Sequence, residues 1–316
     1  MKLNEWLDIW LNKYQRTTIK LRTYLKYMDI IEKHVNPILG EYELDDLSGN
    51  VLQEFVLYKL NNGNLVTKGK LSDNSVIAIV SLLKQTLKQA VFLGVASIEY
   101  TSHIKSPSIK EKEVAAFNRT EQQKLESYCL NSKPNYIGII ICLYTGIRLG
   151  ELLALTWDDI DFDKRLLKVN KTVYTITKNG KNEAYVDKPK TKQSNRIIPL
   201  PKQVINVLKK NKKESKSNYI IATKFGDIVQ NRSYQKSFKS ILRKCNIAYK
   251  NFHSLRHTFA TRALELGMDV KALSEILGHK NSMITLNRYS HSLLEHKFEY
   301  MNKVGKLLDT SFTNVM

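Results

Sequence analysis

The chain opens with Leu3, Trp6, Leu7, Trp10, Leu11 and Tyr14 at the i, i+3, i+4, i+7 spacing of a helix buried along one side. Glu5 and Asp8 interrupt the apolar positions, so this segment reads as amphipathic and not as the unbroken core of a signal peptide. A second helix is predicted from about Thr18 to Val35, ending near Pro37 and Gly40, and a third from Val51 to Leu60. After the turn-rich NNGNLVTKGK, Ser72 or Asp73 caps a fourth. Its Val76, Ile79, Val80, Leu83, Leu87, Ala90 and Val91 form a long apolar stripe stopped by Gly94. These helices predict a small all-helical bundle over residues 1–96.

Residues 97–118 read SIEYTSHIKSPSIKEKEVAAFN, polar and without helical period, the composition of an interdomain connector. Beyond it, over residues 119–316, Thr120 and Asn135 open helices, the second running through the very apolar YIGIIICLYTG, and GIRLGELLAL starts another. Strand-like text follows in RLLKVNKTVYTI, EAYVDKPK and SNRIIPL, with Asn-Gly at 179–180 marking a hairpin turn. Helices return from about Lys202 to the C-terminus, interrupted by a strand at NYIIAT. The predicted fold class is mainly α with a small antiparallel β-sheet, in two domains.

Composition narrows the partners. Among 316 residues, 50 Lys and Arg face 30 Asp and Glu, a net charge of +20 that points to a polyanion. The basic residues are spread through both halves and no apolar run approaches the length of a bilayer span, which favours nucleic acid over a membrane. Cys129, Cys142 and Cys245 are too widely spaced for a zinc ribbon and odd in number, so they read as reduced thiols of a cytosolic protein.

Three stretches place cations where a helix end already favours an anion. In LYTGIRLGELLAL, Gly146 ends one helix and Arg148 begins the next; in NFHSLRHTFATR, His253, Arg256 and His257 crowd one face. In VKALSEILGHKNSM, Gly278 caps a helix and His279 follows in the turn. Zinc is rejected for the His253–His257 pair, because Ser254 stands where a metalloprotease helix carries Glu and Arg256 lies between the imidazoles.

Taken in order, TGIRLGELLAL, HSLRHTFAT, LGH and, ten residues past His279, Tyr289 in NRYSH resemble the catalytic pattern of the tyrosine recombinases, the phage integrase family. The wording GMDVKALSEILGH is most similar to integrases of Gram-positive phages and integrative conjugative elements. The resemblance implies a SAM-like core-binding domain over 1–96, a connector over 97–118 and a catalytic domain with a helical tail over 119–316. It implies site-specific recombination through a 3′-phosphotyrosine intermediate and a four-way junction, integrating or excising a mobile element, with no cofactor and no metal. Type IB topoisomerase chemistry and a catalytically vestigial DNA-binding regulator are the alternatives.

Carried over residue by residue, the resemblance makes Tyr289 the nucleophile, Arg148 and Arg256 the phosphate clamp, His279 a third donor to the phosphate and His253 the handler of the tyrosine proton. The acid for the leaving 5′-oxygen is Lys192, with Lys190 as the alternative, and Glu151 and His257 support the site. Lys190, Arg196, Lys20, Arg22 and Lys26 are expected as DNA contacts. Ten basic residues against the single Glu214 between Lys188 and Lys216 face either DNA or solvent. Expected partners are double-stranded attachment sites, three further copies of the chain on DNA (a monomer when free) and a directionality factor, in the bacterial cytoplasm at the nucleoid. The apolar positions Leu293, Leu294, Phe298, Met301, Val304, Leu307 and Leu308 pack into a neighbouring protomer or onto their own domain. The core-binding-like helix begins four residues in, so either an arm-binding domain is lacking or this is part of a longer chain.

Overall fold

The computed structural model describes residues 1–97, 104–108, 116–178, 181–187, 195–279, 281–283 and 301–306. The chain divides into two compact units, Met1–Lys112 and Glu113–Met316. Of the expected connector, Ile104 is buried with the first core and Phe117 with the second.

In the first unit, α1 (Leu3–Ile9) continues through a π-helical stretch, Trp10–Gln15, and α2 (Leu21–Ile30) through another, Ile31–Val35. Trp6 and Trp10 are fully buried, and their indole N–H groups donate to Thr86 O at 3.1 Å and Gln89 Oε1 at 2.8 Å. The wider π turn rotates the face, so Gln15 is buried and Tyr14 is only half-buried. Pro37 does not end the second helix. It occupies the first turn of the short α3 (Asn36–Leu39), where its missing N–H costs nothing. α4 (Gly49–Asn62) is capped by Ser48, which accepts from Val51 N, and α5 (Asp73–Phe92) by Ser72, which accepts from Ser75 N. α5 does meet the length and apolarity of a membrane span, at 20 residues, but Val76, Ile79, Val80, Leu83 and Ala90 are buried in this unit's core.

One feature of this core is electrostatically unfavourable. Lys59 is 3% exposed, with Nζ 5.3 Å from the Phe55 ring centroid, and burial lowers its pKa. Burial first, then the charge of Lys59, hold the His34 imidazole below its ordinary 6.5. The unfolded chain therefore takes up this proton before the folded one does. The first unit is expected to keep its full stability above pH 6.5 and lose some as the pH falls from there through the lower folded pKa of His34. An NMR titration of the ring should show protonation below pH 6.5, moving upward in Lys59→Met.

The second unit is built around α7 (Ile137–Thr145), whose Ile137–Leu143 residues are all buried, so that of this helix only Tyr144 is exposed and the apolar run needs no polar face. α6 (Arg119–Leu130) starts at a capping box in which Asn118 Oδ1 accepts from Glu121 N and Glu121 Oε2 from Asn118 N. The short α8 (Leu149–Leu153) leads to two sheets instead of the expected one. β1 (Ile160–Asp161), β2 (Leu166–Val169) and β5 (Arg196–Pro199) form one in the order β1-β2-β5, and β3 (Thr172–Lys178) pairs with β4 (Lys181–Asp187) in the other. All pairs are antiparallel, with Leu167 opposite Ile198 and Lys178 opposite Lys181. The latter register leaves a two-residue connection at 179–180, outside the described residues. RLLKVNKTVYTI is thus split at Asn170 and Lys171 between the sheets, and NYIIAT makes only isolated bridges. α9 (Lys202–Glu214), α10 (Asn231–Lys244), α11 (His253–Glu265) and α12 (Val270–Leu277) complete the described core. Residues 301–306 are helical and exposed; 284–300 and 307–316, with most of the predicted apolar tail, lie outside the described residues.

Candidate functional site

α7 ends at Gly146 in the left-handed conformation, φ +63°, and a Cβ there would stand 2.6 Å from Leu277 Cδ2 and Phe259 Cδ1. Only glycine allows both the turn and this close approach of the chain to α11 and α12. Arg148 then caps α8, but five residues carry a weaker dipole than the sequence suggests. The positioning is done by Glu151. Its Oε2 accepts from Arg148 N at 2.9 Å and its Oε1 from Arg148 Nη1 at 2.9 Å, while Arg148 Nη2 donates to Gly278 O at 3.2 Å. The Arg148 side chain remains 39% exposed.

Asn251 starts α11 by accepting from Ser254 N at 3.1 Å. Arg256, one turn in, is 2% exposed, and its Nη1 donates to Gly146 O at 2.8 Å. The two arginines are therefore anchored reciprocally: Arg256 holds the turn that leads to Arg148, and Arg148 holds the turn that leads to His279. His253 is exposed at the start of α11, and the buried His257 ring lies 4.8 Å from it, nearly perpendicular. A cavity of about 320 Å³ opens here, lined by Ile147, Leu149, Gln235, Asn251, Phe252, His253 and Arg256. Nothing in the sequence of α10 singles out Gln235; only the packing of that helix brings it to the cavity.

α12 ends at Gly278, φ +65°, and His279 N donates back to Ser274 O at 3.1 Å, fixing the turn. Arg196, expected as a DNA contact, lies beside this turn. It is 9% exposed, with Nη1 and Nη2 donating to Glu151 Oε1 and Oε2 at 3.2 and 3.0 Å and Nε to Ile276 O at 2.5 Å. Burial alone would raise the Glu151 pKa; hydrogen bonds and charge from Arg196, then Arg148, reverse this and hold the carboxylate below its ordinary 4.5. Lys190, Lys192 and Tyr289 lie outside the described residues. In the first unit, Arg22 and Lys26 are exposed on α2 at i, i+4, Lys20 precedes that helix, and Lys33 pairs with Asp29. Of the basic run, Lys212 lies over the Phe162 ring at 4.9 Å within its own unit. Among the described residues no group of three or more His, Cys, Asp or Glu is placed to hold a metal.

Comparison with known proteins decides what this arrangement belongs to. The phage integrase family matches residues 108–296, and the N-terminal SAM-like domain of phage integrases matches residues 2–60. The chain belongs to the phage integrase family. A XerC-like tyrosine recombinase of Caldanaerobacter subterraneus subsp. tengcongensis is 28% identical over 96% of this chain and 83% of its own length. The transposase from transposon Tn916 of Enterococcus faecalis is 27% identical over 93% of this chain and 74% of its own length. Among solved structures, the Tn1549 transposon integrase in complex with a circular intermediate DNA superimposes with a TM-score of 0.81 at 23% identity, covering 96% of this chain and 99% of that one. A lambda integrase tetramer bound to a Holliday junction gives a TM-score of 0.66 at 21% identity, over 89% of this chain and 78% of that one. As a tyrosine recombinase of this family, the chain is a DNA breaking-and-rejoining enzyme that carries out site-specific recombination.

Proposed function

We propose that this integrase cuts and rejoins double-stranded attachment sites with Tyr289 as nucleophile, Arg148 and Arg256 as the phosphate clamp, His279 as a third donor and His253 as the proton handler. The observation that carries this reading is the reciprocal anchoring of Arg148 on Gly278 O and Arg256 on Gly146 O, which brings guanidinium groups and His279 to adjoining turns. Fixed guanidiniums suit the non-bridging oxygens of a phosphodiester. They supply in advance the charge stabilisation that metal ions provide in other phosphoryl-transfer sites.

The phenol of Tyr289 passes its proton to His253 as its oxygen attacks phosphorus. The 5′-oxygen leaves with a proton from Lys192 or Lys190, and the 3′-phosphotyrosine conserves the bond until another 5′-hydroxyl reverses the step. Residues 1–96 act as the core-binding domain, with Lys20, Arg22 and Lys26 near phosphates, and residues 119–316 as the catalytic domain, joined through 97–118. Assembly as a tetramer on DNA and a role for a directionality factor extend the reading, as does a place in the bacterial cytoplasm at the nucleoid. The Tn1549 and lambda complexes, whose folds this chain shares, support DNA and multimeric assembly as its working state.

A nicked duplex that loses its 5′-hydroxyl fragment should trap a covalent protein–DNA adduct, and two attachment sites should yield recombinant joints. Relaxation of supercoils without joints would instead favour topoisomerase chemistry, and binding without any adduct a vestigial regulator.

A further inference from the structure

We infer that Arg196 is a positioning residue for strand cleavage, coupling the Arg148 guanidinium to the turn that carries His279. This rests on the recombinase reading of the site but assigns Arg196 a task distinct from contacting DNA.

Arg196 is the first residue of β5, and its backbone is held in the ladder opposite Val169. From that fixed base the guanidinium reaches two separate elements. It donates to both oxygens of Glu151 on α8 and, through Nε, to the carbonyl of Ile276 on α12. Glu151 in turn holds the backbone and side chain of Arg148, and Arg148 donates to Gly278 O. The contacts close a ring: Arg196, Glu151, Arg148, Gly278 and, two residues back along α12, Ile276. Gly278 is part of the fit, since a Cβ there would stand 3.0 Å from Arg196 Nη1.

The side chain of Arg196 is 6% exposed, so it is not presented to a phosphate; it acts through the groups it holds. A planar fork is required for this geometry. A lysine ammonium can pair with Glu151 but cannot bond both carboxylate oxygens and the α12 carbonyl from one plane. Loosening the fork leaves the charge balance but frees Arg148 and the His279 turn to move relative to each other. Small misplacements of groups around a reacting centre cost on the order of 100-fold in rate.

Arg196→Lys in the full chain is therefore expected to slow single-turnover cleavage of the nicked duplex by about 10- to 100-fold while DNA affinity changes by less than about twofold. Two readouts separate positioning from mere support of the fold. In a double-mutant cycle with Arg148→Lys, the paired variant should be little slower than Arg148→Lys alone, because both changes disable the same contact. On a duplex with an uncharged methylphosphonate at the scissile position, the Arg196→Lys deficit should shrink to about threefold or less, since a misplaced guanidinium then has less charge to balance. Additive effects in the cycle together with an equal deficit on both substrates would overturn the proposal. If Arg196→Lys fails to fold, Arg196→Gln takes its place in both measurements, and unfolding of both variants would also overturn it in favour of a purely structural role. Absence of any adduct from the unaltered protein would count against the recombinase reading itself, whereas an active parent with an equally active Arg196→Lys would count against this inference alone.

Discussion

Tyr289→Phe is expected to eliminate the covalent adduct on a nicked duplex, lowering cleavage by at least about four orders of magnitude, because phenylalanine has no oxygen to attack phosphorus. The change removes one hydroxyl and leaves the ring, so DNA binding should persist and the loss should fall on the chemical step. A free phenol has a pKa of about 10 and is neutral at pH 7, so cleavage relies on a base and on cations at the site. His253 at the mouth of the cavity and Arg256 beneath it, held to Gly146 O, are the described groups suited to that work. The measurement is denaturing electrophoresis of labelled DNA after incubation with each variant. Tyr300 lies in the same stretch beyond His279 and makes the natural control. An adduct that survives Tyr289→Phe and disappears in Tyr300→Phe would move the nucleophile eleven residues along the chain.

Much of the frame was legible because it is local. The apolar stripes of α1 and α5 follow from a 3.6-residue period, the cap at Ser72 from a side chain that satisfies an open N–H group, and the turns at Gly146 and Gly278 from a conformation other residues resist. What escaped depends on distant partners. Gln15 is buried and Tyr14 only half-buried against the first core because a π turn shifts the register, which no periodic template contains. RLLKVNKTVYTI has uniform strand character, and only its partners, β5 for one half and β4 for the other, divide it between two sheets. The same holds in the site. Arg148, Arg256 and His279 announce themselves by their turns, whereas Arg196 looks in the sequence like any cation of a basic run. Its partners Glu151 and Ile276 lie 45 and 80 residues away, so only the fold reveals that its charge is turned inward.

Glu151 is where that inward charge is balanced, and Glu151→Gln tests the whole arrangement. The carboxylate, 5% exposed, is shared by Arg196, itself buried, and Arg148. An amide of nearly the same shape keeps one acceptor oxygen but turns the other into a donor facing a guanidinium. Removing one member of a buried ion pair costs about 3–5 kcal/mol, because the partner stays buried without compensation, and the second unit is expected to lose about 3 kcal/mol. Amide exchange in α8 and β5 reads this loss directly, without requiring the two units to unfold together. The acid limb provides an independent check. Because the folded Glu151 pKa lies below its ordinary 4.5, its contribution is complete above that value and is lost as the pH falls from there through the folded pKa, as the unfolded chain binds the proton first. Glu151→Gln should remove this part of the acid sensitivity, so that the stability gap between the two proteins narrows below pH 4.5. A gap that stays constant over that range would mean that Glu151 acts by shape and hydrogen bonding, not by the charge that holds Arg148 and Arg196 together.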